Sequence, residues 1–96
     1  MIVIVLSALA GPTRLKAMRL LAEGSEHCVC ELMQKLGATQ RPMSRHMQGL
    51  HKAGLVLHRR DAQWARYRLN PDPPAPLVRL VHAALSAETV DEGGEA

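Results

Sequence analysis

Hydrophobic and polar positions alternate with two different periods along this chain, and the change of period divides it. Residues 2–9 are almost continuously apolar and predict a short helix with little polar face. Gly11-Pro12 breaks it and opens a second helix, with proline at the first helical position, where its missing N–H costs nothing. Leu15, Met18, Leu21 and Ala22 then recur at helical spacing until Gly24. A third helix is predicted from Val29, Leu32, Met33 and Leu36, with Gly37 closing it. Its start falls at Cys28, with Glu31 three residues on, where a carboxylate favours a helix N-terminus. Thr39 is a suitable N-cap for a fourth helix running to Ala53, and Pro42 is tolerated in its first turn.

That fourth helix is split by face. Met43, Met47 and Leu50 form a thin apolar stripe, and Arg41, Ser44, Arg45, Gln48 and Lys52 form the opposite side. Two helices joined by a tight turn, the second with a long polar and basic face, predict a helix-turn-helix. Arginine and glutamine on such a helix suit base edges in the major groove, while serine and lysine suit base edges or phosphates. The period then drops to two. Leu55, Leu57, Ala65, Tyr67 and Leu69 can line one face of a hairpin, with Arg60, Arg66 and Arg68 on the other and Asp61 to Gln63 at the tip. A basic two-stranded ribbon behind a helix-turn-helix is a wing. Residues 70–76 contain four prolines and predict an extended connector. A last helix over Ala75–Ala87 carries Leu77, Leu80, Val81, Ala84 and Leu85, and the acidic residues 88–96 read as a flexible tail behind a 1–87 domain. The predicted fold is mainly α with a two-stranded β-wing, in the order α-α-α-α-β-β-α.

Composition sharpens this. At 96 residues and 47% apolar, the chain supports one modest core, and its first and last helices are more apolar than a monomer of this size readily covers. A homodimer through those two helices is therefore expected, placing two reading helices on one duplex. Net charge is +3, but residues 41–68 alone hold seven basic side chains against Asp61, a local +6, while the remainder is −3. Concentrated positive charge of this kind suits phosphates, and the helix-turn-helix decides for double-stranded DNA over a merely solvated face. Phenylalanine is absent and Trp64 and Tyr67 are the only large aromatics, so a stacking platform for single strands is not expected. The longest apolar run, Met1–Leu6, is too short to cross a bilayer. Residues 2–10 end in Ala-Leu-Ala but lack a basic leader, so export is not expected. Two cysteines cannot make a disulfide framework, which favours a reducing cytoplasm.

The string Leu9-Ala10-Gly11-Pro12-Thr13-Arg14-Leu15, followed by Cys28-Val29-Cys30-Glu31-Leu32, Ser44-Arg45-His46, Ala53-Gly54-Leu55-Val56, Trp64 and Tyr67-Arg68-Leu69, resembles the ArsR/SmtB repressors over residues 7–80. The nearest branch is the arsenic-responsive one with Cys-Val-Cys ahead of the recognition helix. The resemblance implies a dimeric winged-helix repressor released from its operator by trivalent arsenic or antimony, inorganic or organic, with no constitutive cofactor. It further implies operator contacts by Gln40, Ser44, Arg45 and His46, and backbone or minor-groove contacts by Arg59, Arg60 and Gln63. Three positions depart from the pattern. Gly11 replaces an aspartate N-cap, Ala62 replaces a glycine at the wing tip, and Met33 replaces a frequent third cysteine.

Cys28 and Cys30 are the candidate ligands. Near a helix N-terminus, unpaired N–H groups favour thiolate, the form a soft ion needs. On a regular helix, residues i and i+2 point apart, so joint chelation would require the first turn to unwind. That turn packs on the recognition helix through Leu32, Met33 and Leu36, so chelation would alter how that helix is presented. The alternatives are zinc or cadmium binding, thiol redox sensing, and inert packing. His27 is expected at the surface rather than as a ligand, His51 and His58 within the basic surface, and the methionines in the core. His82 lacks a second spaced ligand for zinc. An enzyme is not expected, because Ser44 and His46 face apart and no phosphate-binding glycine loop exists. The remaining rival is a winged-helix DNA binder without an effector.

Overall fold

A computed structural model of the chain describes residues 2–93, and the side chains of residues 2–87. Five helices and three strands follow in the order α1 (Ile2–Leu9), α2 (Pro12–Leu21), β1 (His27–Cys28), α3 (Val29–Leu36), α4 (Gln40–Lys52), β2 (Val56–Asp61), β3 (Trp64–Leu69) and α5 (Ala75–Gly93). All five helices fall where periodicity puts them. Pro12 opens α2 behind Gly11, whose extended backbone offers no side-chain cap. Gly37 ends α3 in the left-handed conformation at φ 69°, which only glycine adopts without strain. Thr39 has N-cap geometry, but its hydroxyl makes no capping bond. Helix α5 continues to Gly93, beyond the expected end at Ala87. Met1 and residues 94–96, the end of the acidic tail, lie outside the described residues.

The core is a single cluster at the junction of α1, α2, α3, α4 and the sheet. Met18, Leu21, Leu32, Met43, Met47, Leu50, Val5 and Val56 are fully buried there. Met18, Met43 and Met47 are core, as the helical spacing requires, and Met33 packs half-buried against it. Leu77, Leu80, Val81, Ala84 and Leu85 of α5 pack on the cluster but stay partly exposed. Among the described residues no helix is long and apolar enough to cross a membrane.

The sheet corrects two expectations. It has three strands, ordered β1-β3-β2, because His27–Cys28 adds to the free edge of the hairpin. All pairings are antiparallel: His27 lies opposite Tyr67, and Cys28 opposite Arg66. The hairpin register also sets Val56, His58 and Arg60 opposite Leu69, Tyr67 and Ala65. Leu57 and Arg59 thus share the other face with Arg68 and Arg66. The expected faces were out of phase for β2. Leu55 is not a strand residue; it and Val56 are buried consecutively, so alternation counted through Leu55 slips by one position.

Ala62 at the tip has φ 56°, a left-handed conformation that favours the glycine it replaces. This backbone costs a residue with a Cβ roughly 1–2 kcal/mol, against glycine's entropic cost of roughly 0.5–1 kcal/mol. Ala62→Gly is therefore expected to stabilise the chain by about 0.5–1 kcal/mol. Thermal melting of the two proteins at equal concentration checks this, and an unchanged or lower midpoint would refute it.

Candidate nucleic-acid interface and cysteine site

Helix α4 buries Met43, Met47 and Leu50 and thereby turns its polar side outward. Gln40, Arg41, Ser44, Arg45 and Gln48 line one shallow concave surface on that side. Lys52 stands apart from this group, beside Gly49, Arg14 and the exposed face of α1. His46 is also set apart. It is half-buried, and burial first, then the nearby Arg14 charge, push its imidazole below the usual histidine range.

On the wing, Arg59, Arg60 and Gln63 are exposed. The Arg60 guanidinium donates to the Gln63 carbonyl at 3.3 Å, folding over the tip. Arg59 is engaged in a fork with Glu26: Nε to Oε2 is 2.9 Å and Nη2 to Oε1 is 2.8 Å. That hydrogen bond is the main reason the Glu26 carboxyl lies below its ordinary range and the Arg59 guanidinium above its own. His51, at the end of α4, stacks on His58 of β2 with ring centroids 4.0 Å apart, joining helix and wing at the surface.

Cys28 is the N-cap of α3 and has extended backbone, φ −80° and ψ 161°. Its Sγ accepts from the Glu31 N–H at 3.3 Å, and its own N–H donates to Glu31 Oε1 at 3.0 Å. This reciprocal box is the one the Cys28/Glu31 spacing predicts. The Cys28 N–H is also the leading reason the Glu31 carboxyl is held below its usual range. The expectation that the sulfurs point apart is overturned. Cys28 belongs to β1 and not to the helix, so the i, i+2 argument does not apply, and the two sulfurs are joined as a disulfide with Cα atoms 5.3 Å apart. Both sulfurs thus meet at the start of α3 without any unwinding of a helical turn.

His27 is another correction. It is buried, at 6% exposure, in the strand that pairs with β3. Its Nε2 lies 3.0 Å from Ser25 Oγ and its Nδ1 3.7 Å from Glu31 Oε2. Met33 is half-buried against the core. His82 is exposed on α5. Sequence reasoning did not single out Glu26 and read Arg66 only as part of the basic hairpin face, yet the two tie the wing to the cysteine segment. An acidic residue two positions ahead of the Cys-x-Cys pair, facing a basic hairpin, was the available signal.

The profile of the bacterial regulatory proteins of the arsR family matches residues 11–57. The chain is 40% identical over 85 residues to the arsenic resistance transcriptional regulator ArsR2 of Pseudomonas putida, spanning 88% of this chain and 74% of that one. It belongs to the ArsR family. It is likewise 40% identical over 80 residues to the arsenical resistance operon repressor of Escherichia coli K12, covering 83% of this chain and 68% of the relative. Its fold matches the homodimeric winged helix-turn-helix DNA-binding domain of a possible ArsR-family regulator of Mycobacterium bovis. The TM-score there is 0.73 at 28% identity, over 93% of this chain and 79% of the other. This ArsR-family chain is thus a winged-helix transcriptional repressor, and its relatives are regulators rather than enzymes.

Proposed function

We propose that this repressor binds operator DNA as a homodimer and is released when trivalent arsenic or antimony, inorganic or organic, binds Cys28 and Cys30. The observation that carries the reading is the meeting of both sulfurs at the start of α3, the helix packed directly on α4. Reduced to thiolates, they present two soft donors to one thiophilic atom. The names of the relatives, both arsenic-resistance regulators, point the same way. Gln40, Arg41, Ser44, Arg45 and Gln48 form the reading surface, Lys52 and His46 flank it, and Arg59, Arg60 and Gln63 supply wing contacts. Dimerisation through α1 and α5 is supported by the outer face of α1, where Ile2, Val3, Ile4 and Leu6 are 49%, 73%, 52% and 49% exposed. An apolar strip of that kind marks a contact surface, and the Mycobacterium bovis domain is homodimeric.

One protomer supplies two thiolates, and Met33, a weak thioether donor, packs half-buried against the core, so the third position on arsenic falls to hydroxide, a small thiol or a carbon already bound there. A methylated trivalent arsenical, which needs only two protein sulfurs, is therefore expected to bind at least as well as arsenite. Zinc and cadmium favour four donors in a tetrahedron, and no three His, Cys, Asp or Glu converge among the described residues. The disulfide itself favours a second reading, in which oxidation of the same pair is the signal.

The test is operator retention by reduced protein under arsenite, antimonite, methylarsenite or peroxide. Cys28→Ser/Cys30→Ser is expected to hold DNA like the parent and ignore all four. Release of the double-serine protein by arsenite would place the site elsewhere. Release of the parent by peroxide but not by any arsenical would replace the metalloid reading with the redox one.

A further inference from the structure

We propose that the state of the cysteine pair is delivered to DNA through the wing, with Glu26 and Arg66 as the positioning residues that carry it. The proposal rests on the cysteine reading above and adds the path by which it acts. Three connections, each independent of the α3–α4 packing, join the cysteine segment to the wing.

The first is the sheet itself. Cys28 lies opposite Arg66, and Arg66 lies opposite Arg59, so one row crosses all three strands from the sensor to a wing arginine. Residues facing each other across antiparallel strands share a face, so these three side chains stand on the same side. The second connection is Glu26, two residues ahead of Cys28, which grips Arg59 through both guanidinium nitrogens. A fork of this kind fixes orientation as well as distance. The third is Arg66, whose Nε sits 2.8 Å from Asp61 Oδ2 at the end of β2, and whose Nη1 lies 3.9 Å from Glu31 Oε1. That same oxygen accepts the Cys28 N–H.

The Cys28–Glu31 box is the element with two arrangements. In one, observed with Cys28 joined to Cys30, Cys28 Sγ accepts the Glu31 N–H and the Glu31 carboxylate is held against the Cys28 N–H, within reach of Arg66. When Sγ turns to a soft ion shared with Cys30, the sulfur is drawn away from the Glu31 N–H it caps and the box opens. The carboxylate then leaves Arg66, the Cys28 backbone shifts against β3, and Glu26 moves with it. Arg59 and Arg66 are then without the partners that set the pose of the wing. Each ion pair is at least partly open to solvent and contributes little to stability. Their role is to orient the phosphate-contacting end of the hairpin. Phosphate contacts fix register and give salt dependence, whereas base contacts on α4 give sequence preference. The wing route and the reading-helix route therefore leave different signatures.

The experiment uses full-length reduced protein, arsenite as the probe, and a duplex selected by the protein from a random pool. Fluorescence anisotropy gives the affinity with and without saturating arsenite at several salt concentrations. Arsenite binding is followed separately by ultraviolet thiolate–arsenic absorption. For the parent, arsenite is expected to weaken binding by about 5- to 150-fold. The residual complex should keep its sequence preference while its salt slope falls by roughly one for each phosphate that the wing releases. Glu26→Gln/Arg66→Gln is expected to bind arsenite like the parent, yet to show a coupling factor below about fivefold relative to its own arsenite-free affinity. Arg66→Lys, which retains a cation between Asp61 and Glu31, should keep most of the coupling, a rescue that weakened packing alone would not give. A double variant released as strongly as the parent overturns the wing route and leaves the cysteine reading intact. So does a parent whose sequence preference disappears at an unchanged salt slope. A parent that binds DNA but ignores arsenite refutes the cysteine reading, and the route falls with it.

Discussion

Leu32→Ala is expected to cost about 2–5 kcal/mol, a large share of the roughly 5–15 kcal/mol that holds a domain of this size together. Leu32 is fully buried on α3, in one cluster with Met43, Met47 and Leu50 of α4. It is the most deeply buried side chain of α3, the helix packed on the reading helix. Truncation leaves a cavity at that seam, and the neighbours are unbranched methionines that refill it only in part. For about 100 residues each kcal/mol moves the melting midpoint by about 4–8 °C, so a fall of at least about 8 °C is predicted. Leu32→Met conserves volume and is expected to cost less than about 1.5 kcal/mol. Melts at equal protein concentration decide it, because an oligomer's midpoint depends on concentration. A Leu32→Ala protein that melts with the parent would show that α3 is not anchored at this seam.

The helical part of the fold was readable because its punctuation is chemical. Pro12 cannot sit anywhere in α2 but its first turn, Gly37 alone tolerates the φ of 69° that ends α3, and Glu31 lies three residues after Cys28, where a reciprocal cap needs it. The sheet was less readable. A strand of two residues, His27–Cys28, has no period to detect, and its partner Arg66 is 38 positions away in sequence. Missing that strand had consequences for the site. It left Cys28 inside a helix, where its sulfur would point away from Cys30, and it left His27 on the surface, whereas His27 is buried in β1. The wing faces failed for a related reason, since Leu55 is buried by tertiary packing and not by the pleat. Periodicity put Arg41 and Arg45 on the outward side of α4, because they emerge where Met43, Met47 and Leu50 are buried. It could not show that Arg59 is already paired, because Glu26 lies 33 residues away.

Arg45→Ala and Arg60→Ala are expected to weaken operator binding in different ways. Arg45 is exposed on the surface shared with Gln40, Arg41, Ser44 and Gln48, at the centre of the outward side of α4. There a guanidinium can fork onto the two acceptors of a guanine edge. Its removal should cost about 1–3 kcal/mol on the preferred duplex, roughly 5- to 150-fold, and relax preference at one base pair. Arg60 instead folds over the wing tip onto the Gln63 carbonyl, which holds its charge at the exposed end of the hairpin. Removing it should weaken every sequence alike and lower the salt slope by about 1. His46→Gln provides the internal comparison, because His46 is half-buried beside Arg14 and off the shared surface. It should change affinity less than Arg45→Ala does. Anisotropy titrations of the three variants on preferred and scrambled duplexes, each at three salt concentrations, separate these outcomes. Equal affinity of Arg45→Ala and parent for the preferred duplex at physiological salt would remove α4 as the base-reading element. A loss of sequence preference on Arg60→Ala would move base reading onto the wing.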